Sequence, residues 1–158
     1  MDFLSNENLF TYYRILVYGH IMTTTQYQEP PEYVNRIGDQ VFDAAIQVHK
    51  RWGPGLLEHF YQRALYHELK KNGLTVESEV YLPIDLDGEI VRDAYKMDLL
   101  VENEVIVELK AVEKLTPVHF QQIRTYLRIS KKQVGYLINF NTSRAVDGIN
   151  RQVMSPKE

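Results

Sequence analysis

The chain has 158 residues, 44% of them hydrophobic, no cysteine and a net charge of -3. That length and apolar fraction suit one domain with its own core, and the missing thiols exclude disulfide scaffolds, thiolate metal sites and thiol catalysis. The slight acidity excludes a generally basic nucleic-acid coat but not a local basic patch, and a cysteine-free chain agrees with a reducing cytoplasm.

Residues 1–21 contain no apolar run longer than Ile15-Leu16-Val17-Tyr18, too short to span a membrane, and Asp2 with no early basic residue does not fit a secretory signal. Met22 opens the stretch MTTTQYQEPP and is a candidate native start, which makes 1–21 a non-native or poorly ordered leader; a short docked extension is the other reading. A single domain is expected over 32–153. Val34, Ile37, Val41, Ala44, Ala45 and Val48 recur at steps of three and four, predicting a helix from Glu32 to Arg51 that Trp52-Gly53-Pro54-Gly55 stops. A second helix is expected from Leu56 to Lys71, with Leu57, Phe60, Tyr61, Ala64 and Leu65 on its apolar face and Asn72-Gly73 as its end.

The period then shortens to two. Leu74 to Leu82 alternates as a strand, and Ile84–Leu86 and Glu89–Val91 flank an Asp87-Gly88 hairpin turn. A second hairpin, MDLLVENEVIVELK, covers 97–110. Thr116-Pro117 starts a helix that runs to Ile129, and Gln133 to Phe140 reads as a last buried strand. Helices, antiparallel strands, a helix and a strand make an α+β or mixed α/β layered domain.

The hairpin at 97–110 carries the charges that need explaining. Side chains alternate along a strand, so Glu108 and Lys110 share one face while Val107, Leu109 and Ala111 take the other. If Glu102, Asn103 and Glu104 form a three-residue loop, Val101 faces Val105 and Asp98 comes opposite Glu108. A two-residue loop would put Asp98 on the other face. Opposed carboxylates repel, and their direct use is to hold a hard cation such as Mg²⁺ or Mn²⁺, with the lysine neutralising transition-state charge. The plain alternative is solvated hairpin charge with a lysine salt bridge.

The Asp98, Glu108 and Lys110 arrangement, D-x9-E-x-K, resembles the core of the PD-(D/E)XK nuclease superfamily, although Met97 stands where the superfamily's name has proline. "GLLEHFY", Gly55 to Tyr61, is similar to the motif for which the GxxExxY protein family is named, and the likeness runs from Ile37 to Phe140. The resemblance implies a central mixed sheet flanked by helices and a magnesium-dependent phosphodiesterase site. Glu58, at the edge of the second helix's apolar face, is then a third carboxylate, either a metal ligand or an outer partner. Gln122 and Tyr126 form the Q-x3-Y pair that some such nucleases place beside the metal; Gln122 would orient phosphate or water, and Tyr126 would hydrogen-bond the backbone.

Residues 110–132 hold six cations against Glu113 alone, which favours a nucleic-acid substrate, DNA or RNA. The five histidines form no zinc motif. The expected function is a metal-dependent nuclease; the alternative is a catalytically inactive nuclease-fold module that binds nucleic acid or a protein partner.

Overall fold

The computed structural model describes residues 28–155, so the expected leader and Met22 lie outside the described residues. Helix α1 (Glu32–Trp52) buries Val34, Val41, Ala44, Ala45 and Val48 along one stripe and ends at Gly53, whose φ of 66° no bulkier residue adopts easily. Helix α2 (Glu58–Lys71) buries Tyr61, Leu65 and Leu69. It closes as the Asn72-Gly73 pair predicts: Gly73 N–H returns to Lys70 O and Leu74 N–H to Leu69 O, satisfying the last carbonyls. Leu57, expected on the buried face, instead precedes the helix and is exposed.

The strands are β1 (Val76–Leu86), β2 (Glu89–Val101), β3 (Val105–Lys110), β4 (Val134–Asn139) and β5 (Ile149–Val153), which lie side by side in chain order. β3 and β4 are parallel and the other neighbours antiparallel, so the sheet is mixed. The parallel pair needs a crossover. Helix α3 (Pro117–Ser130) supplies it, and the short α4 (Ala145–Gly148) leads into β5. No element was expected after Phe140; Asn150, Arg151 and Gln152 interrupt β5, which is a half-buried edge strand without a readable alternation.

α1 and α2 cover one face of the sheet, where Val41, Tyr61 and Leu65 meet Leu99, Val107, Leu109 and Ile138. α3 covers the other, where Tyr126 and Leu127 meet Leu82, Leu100 and Ile106. β3 and β4 are therefore buried on both sides.

Two hairpins position the site. The β2–β3 loop has three residues, with Val101 opposite Val105 and Leu99 opposite Val107. Past Leu99, β2 leaves β3 and continues with β1 as a two-stranded ribbon to the expected Asp87-Gly88 hairpin turn, where φ values of 53° and 99° suit a type I′ geometry. The ribbon departs from simple alternation at Glu79, whose φ is 55°. Val76 packs under α1 and α2, whereas Val80 and Leu82 pack under α3, so the strand changes faces there.

Candidate active site

β3 delivers its side chains as strand parity requires. Val107, Leu109 and Ala111 pack under α1 and α2, leaving Glu108 and Lys110 on the α3 side with Ile106. Lys110 Nζ donates to Glu108 Oε1 at 2.8 Å, with only 12% and 4% of the two side chains exposed. The other carboxylate oxygen, Glu108 Oε2, is buried and has no hydrogen-bond partner among the described residues.

Asp98 enters from β2 just beyond the last paired residues. Its Oδ2 accepts the Leu109 N–H at 2.8 Å, and its own carbonyl accepts from Gln62 Nε2 of α2 at 3.2 Å. Splitting the strands thus frees a carboxylate to bind β3 at the point where Glu108 and Lys110 emerge. The charges interact strongly. Burial, and then the Asp98 charge, push the Glu108 carboxyl up to about 7 against the pull of Lys110. Burial also raises the Asp98 carboxyl, opposed by the Leu109 N–H and Lys110. For Lys110, burial works to lower the pKa, but the hydrogen bond and charge of Glu108, with Glu58 and Asp98 behind it, leave it raised.

Glu58 closes the other end of β3. Its Oε2 accepts the Ala111 N–H at 3.3 Å, and its charge adds to the negative potential at Asp98 and Glu108. Gly55 takes a φ of 98°, and the Tyr61 hydroxyl donates to Gly53 O at 2.6 Å and accepts the Leu56 N–H at 3.1 Å. The three named positions of the G-x-x-E-x-x-Y stretch have one physical purpose: glycine makes the turn, tyrosine staples it, and glutamate fastens the strand that carries Lys110.

From α3, Gln122 Nε2 donates to the Tyr126 hydroxyl at 2.7 Å, and that hydroxyl donates to Lys96 O of β2 at 3.1 Å. Burial and the Glu108 charge raise the Tyr126 hydroxyl to about 12, so it stays a neutral donor. Asp98, Glu108, Lys110, Glu58, Gln122 and Tyr126 therefore gather around the end of β3.

Two features were missed in the sequence. Asn139, buried at the end of β4, binds both the N–H and the carbonyl of Val112, while Phe140 N–H donates to Lys110 O, so β4 fixes the chain leaving the site. A lone polar residue ending the run VGYLIN was the available signal. Gln62 gave none, because a glutamine on a helix flank is ordinary. The histidines do other work: His119 Nδ1 accepts the Thr116 N–H at the start of α3, and His49 Nε2 meets Thr142 O at 2.7 Å.

The donor set fits a hard divalent cation, since two carboxylates face each other and one keeps a buried oxygen free of partners. Among the described residues, no three His, Cys, Asp or Glu side chains are grouped to hold one ion together. A pair suffices for Mg²⁺, which retains several waters.

A mixed five-stranded sheet flanked by helices is consistent with a PD-(D/E)XK nuclease fold. The chain matches the family model described as PD-(D/E)XK nuclease superfamily over residues 35–152, and it belongs to that superfamily. Neither a curated protein nor a solved structure matches it. Among the described residues no helix is long and apolar enough to cross a membrane.

Proposed function

We propose that the protein is a metal-dependent nuclease that hydrolyses phosphodiester bonds of nucleic acid at the end of β3. The observation that carries this is the buried Glu108 Oε2, which has no hydrogen-bond partner among the described residues, beside Asp98, because a carboxylate oxygen held out of water at such cost is well satisfied by a cation. Asp98 and Glu108 are the ligands, and Mg²⁺ or Mn²⁺ held by them supplies Lewis-acid polarisation of a phosphoryl oxygen. Glu58 is an outer partner that holds the β3 end through Ala111.

Hydrolysis adds a water oxygen to phosphorus and breaks one phosphorus–oxygen ester bond, with the leaving oxygen taking up a proton. Lys110, fixed by Glu108, is the cation beside that centre, orienting the water and balancing the charge that builds on the phosphoryl oxygens. Gln122 donates toward phosphate or water, and Tyr126 ties α3 to β2 so that the distance across the site is kept. The cations Lys114, Arg124, Arg128 and Lys131 are exposed in and around α3 and suit contact with phosphates. The Gly55, Glu58 and Tyr61 contacts support placement in the GxxExxY branch of the superfamily.

The test is an incubation of single-stranded, duplex and branched DNA and RNA with the protein in Mg²⁺, Mn²⁺ or EDTA. Cleavage is expected with metal only, and none from Asp98→Asn or Lys110→Ala. Binding of nucleic acid without cleavage under every condition would replace the enzyme with an inactive nuclease-fold module.

A further inference from the structure

The ribbon beyond Asp98 differs from the rest of the site's surroundings in two ways. It is acidic: Glu79, Asp85, Asp87, Glu89 and Asp93 stand against Arg92 and Lys96 only. A phosphate backbone is repelled along the ribbon.

At the base of the ribbon, three residues before Asp98, sits Tyr95. Its ring meets the Tyr126 ring nearly edge to face, with centroids 5.9 Å apart and an interplanar angle of 67°. Tyr126 is the residue whose hydroxyl joins Gln122 and Lys96 O and which feels the charges of Glu108 and Asp98. Tyr126 is buried, whereas Tyr95 is 38% exposed. An aromatic ring half out in solvent, braced by a second ring against the site, is an arrangement that accepts a flat partner.

We infer that the site takes an unpaired nucleic-acid strand, with one base stacked on Tyr95, in preference to a continuous duplex. The inference rests on the nuclease reading above and adds the substrate class. A duplex brings two phosphate backbones, and one of them must meet the acidic ribbon. A single strand brings only one, and its unpaired bases are free to stack. Base stacking on an aromatic ring tolerates any sequence, so the preference concerns strandedness and not bases.

Binding is measured by fluorescence anisotropy with a labelled unpaired oligonucleotide and a blunt duplex of equal length, in Ca²⁺ so that affinity is read without turnover. The wild type should bind the unpaired strand more tightly. Tyr95→Ala should weaken that binding roughly 5- to 100-fold, the range for loss of one base–aromatic stack, and leave duplex binding little changed. Tyr95→Trp should restore it, which a merely structural tyrosine packed on Tyr126 would not allow. Neutralising the ribbon with Asp87→Asn, Glu89→Gln and Asp93→Asn together should strengthen duplex binding. Equal wild-type binding of both forms, or a Tyr95→Ala loss that is the same for both, overturns the inference. If no nucleic acid is cut in Mg²⁺ but the unpaired strand is still preferred through Tyr95, the nuclease reading fails and the substrate class stands. Failure to bind either form at low salt overturns both.

Discussion

Two glutamate–lysine pairs in this protein have the same length and opposite character. Lys110 Nζ meets Glu108 Oε1 at 2.8 Å in the site, and Lys96 Nζ meets Glu79 Oε1 at 2.8 Å on the ribbon. The first pair is 12% and 4% exposed, the second 43% and 60%. On the ribbon, water solvates both partners, so the lysine simply lowers the Glu79 carboxyl through its hydrogen bond and charge. In the site, the cost of leaving water exceeds the attraction, and the Glu108 carboxyl rises despite an equally close lysine. Distance alone therefore ranks neither pair. An exposed pair of this kind contributes about 0–1 kcal/mol. A buried pair that the fold holds at a net cost calls for a functional reason, and the metal and phosphate of the proposed function would supply one.

The sharpest way to separate the pairs is to remove each lysine. Lys110→Ala should lower metal-dependent cleavage by at least about 100-fold, the scale for losing one preorganised charge, in a single-turnover assay. Because an ammonium is no metal ligand, metal affinity should be largely kept. Lys96→Ala should leave the melting midpoint nearly unchanged. Undiminished cleavage by Lys110→Ala would erase the distinction.

pH offers the next contrast. The folded Glu108 carboxyl lies near 7 and its ordinary value is 4.5. Between those values the unfolded chain has released this proton while the folded protein keeps it, so the folded state binds more protons and metal-free stability falls as pH rises. The loss should be complete above about pH 7 and amount to roughly 1–3 kcal/mol, allowing for coupling to Asp98. Glu79, lowered instead, contributes in the opposite sense, stabilising above its ordinary value and losing that on acidification, but weakly because it is exposed. Denaturant melts from pH 5 to 8 read the slope; Glu108→Gln should flatten it and Glu79→Gln should not.

A smaller effect tests the bracing of the site. Tyr61→Phe removes the hydroxyl shared by Gly53 O and Leu56 N–H, two part-buried hydrogen bonds, and should cost about 1 kcal/mol in chemical denaturation. Cleavage should drop with it if the loop positions Glu58 and, through Ala111, Lys110. Unchanged stability would mean that water replaces the hydroxyl.

The two regions also differed in how far the sequence could be read. β3 was legible because burial on both faces makes any charge conspicuous: Glu108 and Lys110 interrupt VIVELK, and the odd loop Glu102-Asn103-Glu104 sets Asp98 toward them. Helices α1, α2 and α3 were legible from apolar spacing and from their stop signals at Gly53 and Gly73 and start at Thr116. The ribbon was not. Its strands were expected, but a positive φ at Glu79 turns the chain from one core to the other, and no alternation pattern encodes a single unusual torsion. β5 was missed because an edge strand needs little apolar content. Gln62 and Asn139 were missed as parts of the site because their partners are backbone atoms of distant strands.

The central claim, that the buried pair exists to hold a divalent cation, is tested most directly by thermal melts of the wild type and Glu108→Gln with and without Mg²⁺ or Mn²⁺. Without metal, and at about pH 8 where Glu108 is ionised in the folded protein, Glu108→Gln should melt a few degrees higher, because it leaves only one of two repelling buried carboxylates charged. At ten times the dissociation constant, metal should stabilise the wild type by about 1.4 kcal/mol, again a few degrees, and Glu108→Gln should lose most of that gain. If neither metal shifts either protein, and Glu108→Gln melts lower than the wild type, the pair is a structural salt bridge and the site holds no metal.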